Sequence, residues 1–335
     1  MASLYRFIKI IHALLIVAII LLFIACNKEL ELDLPSPEGV PVVNCLFNSD
    51  TNLQVQLHTL APLDSLTPSV AITNAEVFIT TDGRKIPLFH DSEGHYKSDI
   101  VPVPGESYSL EVHMPGEETV YAQDYLPEKH FPEVGKLEYK PDYIIPNDLY
   151  FGQFRAFPTK VTVDSSLFNS NIIIRAFAHR KGKYFENDSA GTYQVLEEPF
   201  MENIQLFSTD LYFRNLGQDA YVVFNLAKGL QGPSHTFEVW LPEYELGTSQ
   251  NTSPDYNRVL GYCYYDSDFY IEIMCGSENF ISYMETAILQ LAYAINPFAE
   301  PVKVHSNIQN GTGIFAGYVV KRFKTGTYYM GLDPD

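Results

Sequence analysis

Apolar and polar positions alternate along most of this chain. In NAEVFITTDGRKIPLF (Asn74–Phe89), Ala75, Val77 and Ile79 alternate with Glu76, Phe78 and Thr80, a period of two that gives a strand one face of each kind. The pattern breaks at Asp82-Gly83, a dipeptide suited to the left-handed conformations of a tight hairpin turn. Further on, SYSLEVHMPG sets Tyr108, Leu110, Val112 and Met114 against Ser109, Glu111 and His113, and stops at Pro115-Gly116. With VPVVNCLF and NLQVQLHTL before them and TVYAQDY after them, these segments predict a sandwich of about seven strands over residues 39–127.

From residue 128 to residue 335 the same pattern predicts longer strands. SNIIIRAFAHR, AYVVFNLAKG, HTFEVWLPEY, DFYIEIMC and GIFAGYVVKRF are the strand segments, separated by Gly, Pro, Asn and Asp. One stretch has a different period. In ENFISYMETAILQLAYAI the apolar residues Ile281, Met284, Ile288, Leu291 and Ile295 recur at three and four, which predicts an amphipathic helix lying on a sheet and stopped by Pro297. The expected fold is mainly β: an N-terminal sandwich, then a β-rich C-terminal domain with one amphipathic helix.

The first residues do another job. Arg6 and Lys9 precede an apolar run from Ile10 to Ala25 broken only by His12, the charge-then-apolar layout of an export signal. A bilayer span needs roughly 20 apolar residues, so the run is marginal as an anchor. Leu22-Phe23-Ile24-Ala25 resembles the bacterial lipobox, although Phe23 stands where Leu is commoner. That resemblance implies a signal peptide over residues 1–25, cleavage before Cys26, diacylglycerol on the Cys26 sulfur and a third acyl chain on its amine. Each buried methylene contributes about 0.8 kcal/mol, so such an anchor is effectively permanent. The next residues, Asn27-Lys28-Glu29-Leu30-Glu31-Leu32-Asp33, resemble the Lys-plus-acidic tag of surface lipoproteins of the Bacteroidota; a solvated linker is the alternative, and residues 26–38 read as an acidic tether either way.

Charge narrows the partners. The chain holds 41 acidic and 22 basic residues for a formal charge of −19, and cleavage before Cys26 removes two positive charges, Arg6 and Lys9, taking it to −21. A surface this acidic repels nucleic acid and anionic lipid. With 46% hydrophobic and 14% aromatic residues the chain is nonetheless globular.

NPFAEPVKVHSNIQNGTGIFAGYVV, the helix before it, and the earlier NAEVFI, DGRKIPLF and EGHYKSDIVPVPGESYSLEVHMPG together resemble an uncharacterised family of Bacteroidota outer-membrane lipoproteins, known as a domain of unknown function. The resemblance covers nearly all of the chain after the leader. It implies an immunoglobulin-like or transthyretin-like sandwich ahead of a β-rich domain, a place on the outer membrane facing the cell surface, and genes beside TonB-dependent receptors. The motif residues are Pro297, Phe298, Glu300, Pro301, Asn307, Gly311, Gly313, Phe315 and Gly317. Physically they read as a helix-to-strand corner. Pro297 and Pro301 fix the exit from the helix, Asn310-Gly311 and Gly313 permit positive φ, and Phe315 begins an alternating strand. The alternative is a polar ligand or metal cluster of Glu300, His305 and Asn307. No third glycine or flanking strand and helix makes Gly311 and Gly313 a phosphate loop.

Other candidate chemistry is sparse. His90, Glu93 and His95 have metal-like spacing, but DSEG is ordinary turn composition. Asp266, Asp268 and Glu272 lack the glycine and terminal glutamate of an EF-hand and read as a solvated turn. If residues 266–268 turn a hairpin, Cys275 lies ~13 Å along the strand from the residue facing Cys263, beyond disulfide reach. The pairing of Cys45, Cys263 and Cys275 stays open, with at least one thiol unpaired or buried. Asp64-Ser65-Leu66 and Asp188-Ser189-Ala190 resemble the short O-glycosylation motif of Bacteroidota. No catalytic, metal or cofactor motif is found, so the expected protein is no enzyme. It is a membrane-anchored accessory subunit of an outer-membrane protein complex; nutrient capture, of a glycan or peptide, and an unrecognised hydrolase are the alternatives, and any small-molecule ligand is unknown.

Overall fold

The computed structural model of the protein describes residues 39–60, 69–138, 144–147, 152–168, 170–187, 193–196, 199–208, 210, 213–215, 221–225, 230–242, 261–294, 300 and 302–328. The leader, Cys26, the acidic tether, both Asp-Ser motifs, Pro297, Phe298 and Pro301 lie outside them.

Seven strands follow the alternating segments: β1 (Pro41–Phe47), β2 (Gln54–Thr59), β3 (Glu76–Thr81), β4 (Arg84–Ser92), β5 (His95–Lys97), β6 (Ser107–His113) and β7 (Val120–Tyr125). Their hydrogen-bonded order is β1-β2-β5-β4-β3-β6-β7. β4 turns the sheet back on itself. Its first residues, Arg84–Leu88, pair with β3, and its last, from Phe89 to Ser92, pair with β5 across an irregularity between His90 and Ser92. Two layers result, and Val43, Cys45 and Leu57 on one meet Val77, Ile79, Leu110 and Val112 on the other in a shared core. The predicted hairpin is present: Asp82 and Gly83 have φ of 46° and 69°. DSEG is also a turn, with Glu93 and Gly94 at φ 48° and 77°.

The rest of the chain supplies β8 (Glu133–Val134), β9 (Ile144–Asn147), β10 (Gly152–Asp164), β11 (Asn171–Asn187), β12 (Tyr193–Leu196), β13 (Phe200–Ile204), β14 (Phe213–Asn215), β15 (Tyr221–Asn225), β16 (Ser234–Pro242), β17 (Gly261–Gly276), the helix α1 (Glu278–Ala294) and β18 (Thr312–Tyr328). The order β14-β15-β11-β17-β18 continues directly into β1. β18 and β1 run parallel, from Val42 opposite Thr312 to Phe47 opposite Gly317. A smaller sheet of β10 with β16, β8 and β9 packs Val161, Val163, Phe237 and Val239 into the same core as Ile172, Ile174, Ile271 and Ile273. The chain is therefore mainly β, with an N-terminal sandwich and, among the described residues, one α-helix.

That helix covers the other face of β11, β17 and β18. Phe280, Ile281 and Ile288 close over Ile173, Met274, Ile314 and Ala316. Leu291, expected on the buried stripe, is 67% exposed. A helix of 17 residues is about 25 Å long and outruns the apolar patch that receives it.

A second expectation fails at Asp266-Ser267-Asp268. There is no hairpin: Gly261–Gly276 is one strand, with a register shift opposite Lys181/Gly182. Ser267 is buried and Asp268 accepts from Thr327 Oγ1 at 2.7 Å and pairs with Lys324 at 2.6 Å, so partners on β18 stabilise in a strand what looks locally like a turn. Cys263 and Cys275 thus lie twelve positions apart on one strand, roughly 40 Å.

Candidate functional site

The described motif residues, Glu300 and Asn307 to Gly317, occupy the corner between α1 and β18, and the sequence of α1 explains how that corner is held. Asn279, Thr286 and Gln290 fall on one helical face at spacings of seven and four. Gln290 Oε1 accepts from Val302 N at 2.8 Å, Thr286 Oγ1 accepts from His305 N at 2.8 Å, and Asn279 Oδ1 accepts from His305 Nε2 at 3.0 Å. Three side chains thereby supply acceptors to a segment that forms no regular strand. Between the helix and residues 303–312 lies a cavity of about 660 Å³, with Ser282, Glu285, Lys303, His305 and Thr312 in its wall and Val304 and Ile308 as apolar lining.

Below the groove the corner is structural. Asn307 acts as a short strand: Oδ1 accepts from Phe315 N at 3.0 Å, while Nδ2 donates to Phe315 O at 2.8 Å and to Gln123 O at 3.3 Å. Gln309 forms a β-bridge with Tyr121 on β7. Gly313 has φ 109° and packs so closely that a Cβ would overlap the carbonyl of Val43. Phe315 packs on Phe47 with ring centroids 4.9 Å apart.

At the centre is Asp124, 7% exposed. Its Oδ2 accepts from Ser277 Oγ and, at 3.0 Å, from Gly317 N; its Oδ1 accepts from Asn279 Nδ2 at 3.4 Å. Ser277 is the N-cap of α1, its Oγ accepting from Phe280 N at 3.1 Å. Burial pushes the Asp124 carboxyl above its usual range, and the bonds to Ser277 and Gly317 partly offset this. One carboxylate therefore joins β7, the start of α1 and β18. The signal for it was present: in VYAQDY, alternation puts Asp124 on the face of Val120 and Ala122, where a charge needs partners.

The motif thus divides. His305 lines the groove with one ring nitrogen used by Asn279; Glu300 is exposed; Asn307, Gly313, Phe315 and Gly317 hold the corner, and Gly311 lies between groove and β1, beside Pro41. His90 packs edge-on to Tyr96 and His95 bonds Gln54, so neither turns toward Glu93 as a metal pair would. Among the described residues no three His, Cys, Asp or Glu side chains are grouped to hold a metal ion.

The expected solvated run of Asp266, Asp268 and Glu272 is corrected by burial. Glu272 is 1% exposed, its carboxylate lying between Arg175 Nε and, at 2.6 Å, Arg322 Nε. These residues are cross-strand neighbours on β11, β17 and β18. The side chain of Asp266 lies outside the described residues. A Ser-His-Asp trio not flagged by sequence, Ser166, His130 and Asp164, sits at a 3₁₀ turn over Ser165–Leu167 whose N-cap is Asp164: the Ser166 hydroxyl donates to Asp164, which also accepts Ser166 N at 2.8 Å. Cys45 and Cys275 are free and buried; burial raises both thiols, that of Cys275 to about 12, so they remain protonated and inert.

Among the described residues no helix is long and apolar enough to cross a membrane. A profile described as "Domain of unknown function (DUF4249)" matches residues 27–324, and the chain belongs to that family. No curated protein matches it by sequence. A solved structure, chitinase ChiA74 from Bacillus thuringiensis, is similar at 14% identity over 61% of this chain and 27% of that one, with a TM-score of 0.17. The chain thus spans about a quarter of that protein, and the likeness carries no argument about function.

Proposed function

We propose that this DUF4249 protein is a lipid-anchored, non-catalytic subunit of the outer membrane, displayed at the cell surface and docked on a larger membrane protein, for which the family resemblance suggests a TonB-dependent transporter. The observation that carries the reading is a division of labour between buried acids and an open groove. The buried carboxylates Asp124 and Glu272 are committed to holding elements together, while the groove of about 660 Å³ beside α1 stays open and presents Glu285, Lys303 and His305. Such a groove suits a partner's polar segment better than a reaction that needs a poised base.

The Cys26 anchor makes a modest contact sufficient, because confinement to one membrane raises the effective concentration of both partners. Affinity purification from detergent-solubilised envelopes, followed by mass spectrometry, tests the reading. A membrane protein should co-purify with the natural chain and be lost with Lys303→Glu. Recovery of the chain alone, together with a ligand bound by its soluble form, would replace docking by direct nutrient capture. Metabolic labelling with an alkyne fatty acid tests the anchor: label should disappear in Cys26→Ala.

A further inference from the structure

The outer face of β11, β17 and β18 carries a second arrangement, beside the apolar rows that α1 covers. Arg175, Glu272 and Arg322 form one cross-strand row, and Phe177, Tyr270 and Lys324 form the next. Phe177 and Tyr270 stack with centroids 5.2 Å apart and an interplanar angle of 10°. The Arg322 guanidinium lies over the Phe177 ring, 5.3 Å from its centroid, while its Nε bonds the buried Glu272 at 2.6 Å.

These contacts fix Arg322 in two directions. Nε is held inward by a carboxylate, Cζ lies over a ring, and the side chain is still 61% exposed. A guanidinium fixed in this way offers its two terminal nitrogens as a rigid fork, the geometry that matches a carboxylate with two parallel hydrogen bonds. Holding it in place beforehand removes the side-chain entropy that an ordinary surface arginine loses on binding. Asp268, on the same face of β17, is engaged by Lys324 and Thr327. Tyr270, half-buried in the next row, stacks one face on Phe177, the same ring that the Arg322 guanidinium approaches.

We propose that Arg322 and Tyr270 form a subsite for a carboxylate carried on a ring: the carboxylate on the Arg322 fork, the ring against Tyr270. A sugar acid and an arene carboxylate share this chemistry. The subsite is separate from the groove beside residues 303–312 and does not depend on partner docking.

The test is ligand-observed NMR titration of the detergent-solubilised full chain with galacturonate, benzoate, galactose and inorganic phosphate. At least one carboxylate should bind, galactose should not, and Arg322→Ala should weaken binding tenfold or more. Arg322→Lys should fail to restore it, because an ammonium has no fork. Arg322→Gln, which keeps a polar side chain but has no guanidinium, is the second variant should Arg322→Ala misfold, and circular dichroism checks the fold of each. Binding of galacturonate alone identifies a sugar-acid subsite, and of benzoate alone an arene one. The proposal is overturned if neither carboxylate binds, if phosphate binds as tightly, or if the Arg322 variants bind like the natural chain.

Discussion

Asp124 and Glu272 are both buried acids, yet the two regions around them stabilise a carboxylate by different means. At the corner, Asp124 meets only neutral donors: a serine hydroxyl, a glycine N–H and an asparagine amide. On the C-terminal sheet, Glu272 lies between two guanidinium groups. Neutral donors suit a joint, since those from the start of α1 and from β18 meet on one carboxylate of β7 and bring no charge that must itself be buried. Charged partners suit a surface, because arginines long enough to reach inward keep their outer ends in water.

Removing either acid sharpens the contrast. Glu272→Ala should cost about 3 kcal/mol, read as a drop in urea-unfolding free energy, because two arginines lose their counter-charge while the carboxylate's site empties. Adding Arg175→Ala should recover part of that loss, and a simple sum of the two single losses would show that the residues are not coupled. Asp124→Ala should cost about 2 kcal/mol by leaving the Gly317 N–H and its companions without an acceptor. Ser277→Ala should cost about 1 kcal/mol, the usual loss of an N-cap.

The smallest effect is one of pH. The folded Asp124 carboxyl titrates above 3.8, its ordinary value, so between the two values the native state holds a proton that the unfolded chain has released. Stability contributed by this group therefore falls as pH rises through that window. A melting-temperature profile should show that slope in the natural chain and lose it in Asp124→Asn; an identical slope in both would assign it to other groups.

How much of this was legible depended on how local the cause is. The turns at Asp82-Gly83 and Glu93-Gly94, the strand from Glu76 to Thr81, and α1 are set by neighbours a few residues apart, and the sequence reading found all of them. Asp266-Ser267-Asp268 misled because its partners, Lys324 and Thr327, lie more than fifty positions away. The row of Arg175, Glu272 and Arg322 was hidden for the same reason, although Glu272 between Ile271 and Ile273 marks a carboxylate in a strand that is apolar on one face. The groove was half visible: His305 was singled out, but Glu300 and Asn307, grouped with it, turn to solvent and to Phe315, while Glu285 and Thr286 reach it only because α1 lies alongside residues 302–308.

The parallel pairing of β1 with β18 also sets a schedule. The first strand of the sandwich finds its neighbour about 270 residues downstream, in Thr312–Tyr328. Until that segment has been made, β1 has an open edge toward β18's place, and neither Gly313 nor Phe315 is there to close against Val43 and Phe47. Closure of this edge therefore waits on a contact of very long sequence separation and cannot precede synthesis of Thr312–Tyr328. Under the export proposed above, such a delay keeps the strands of residues 41–125 from reaching their final form before residues 312–328 are made.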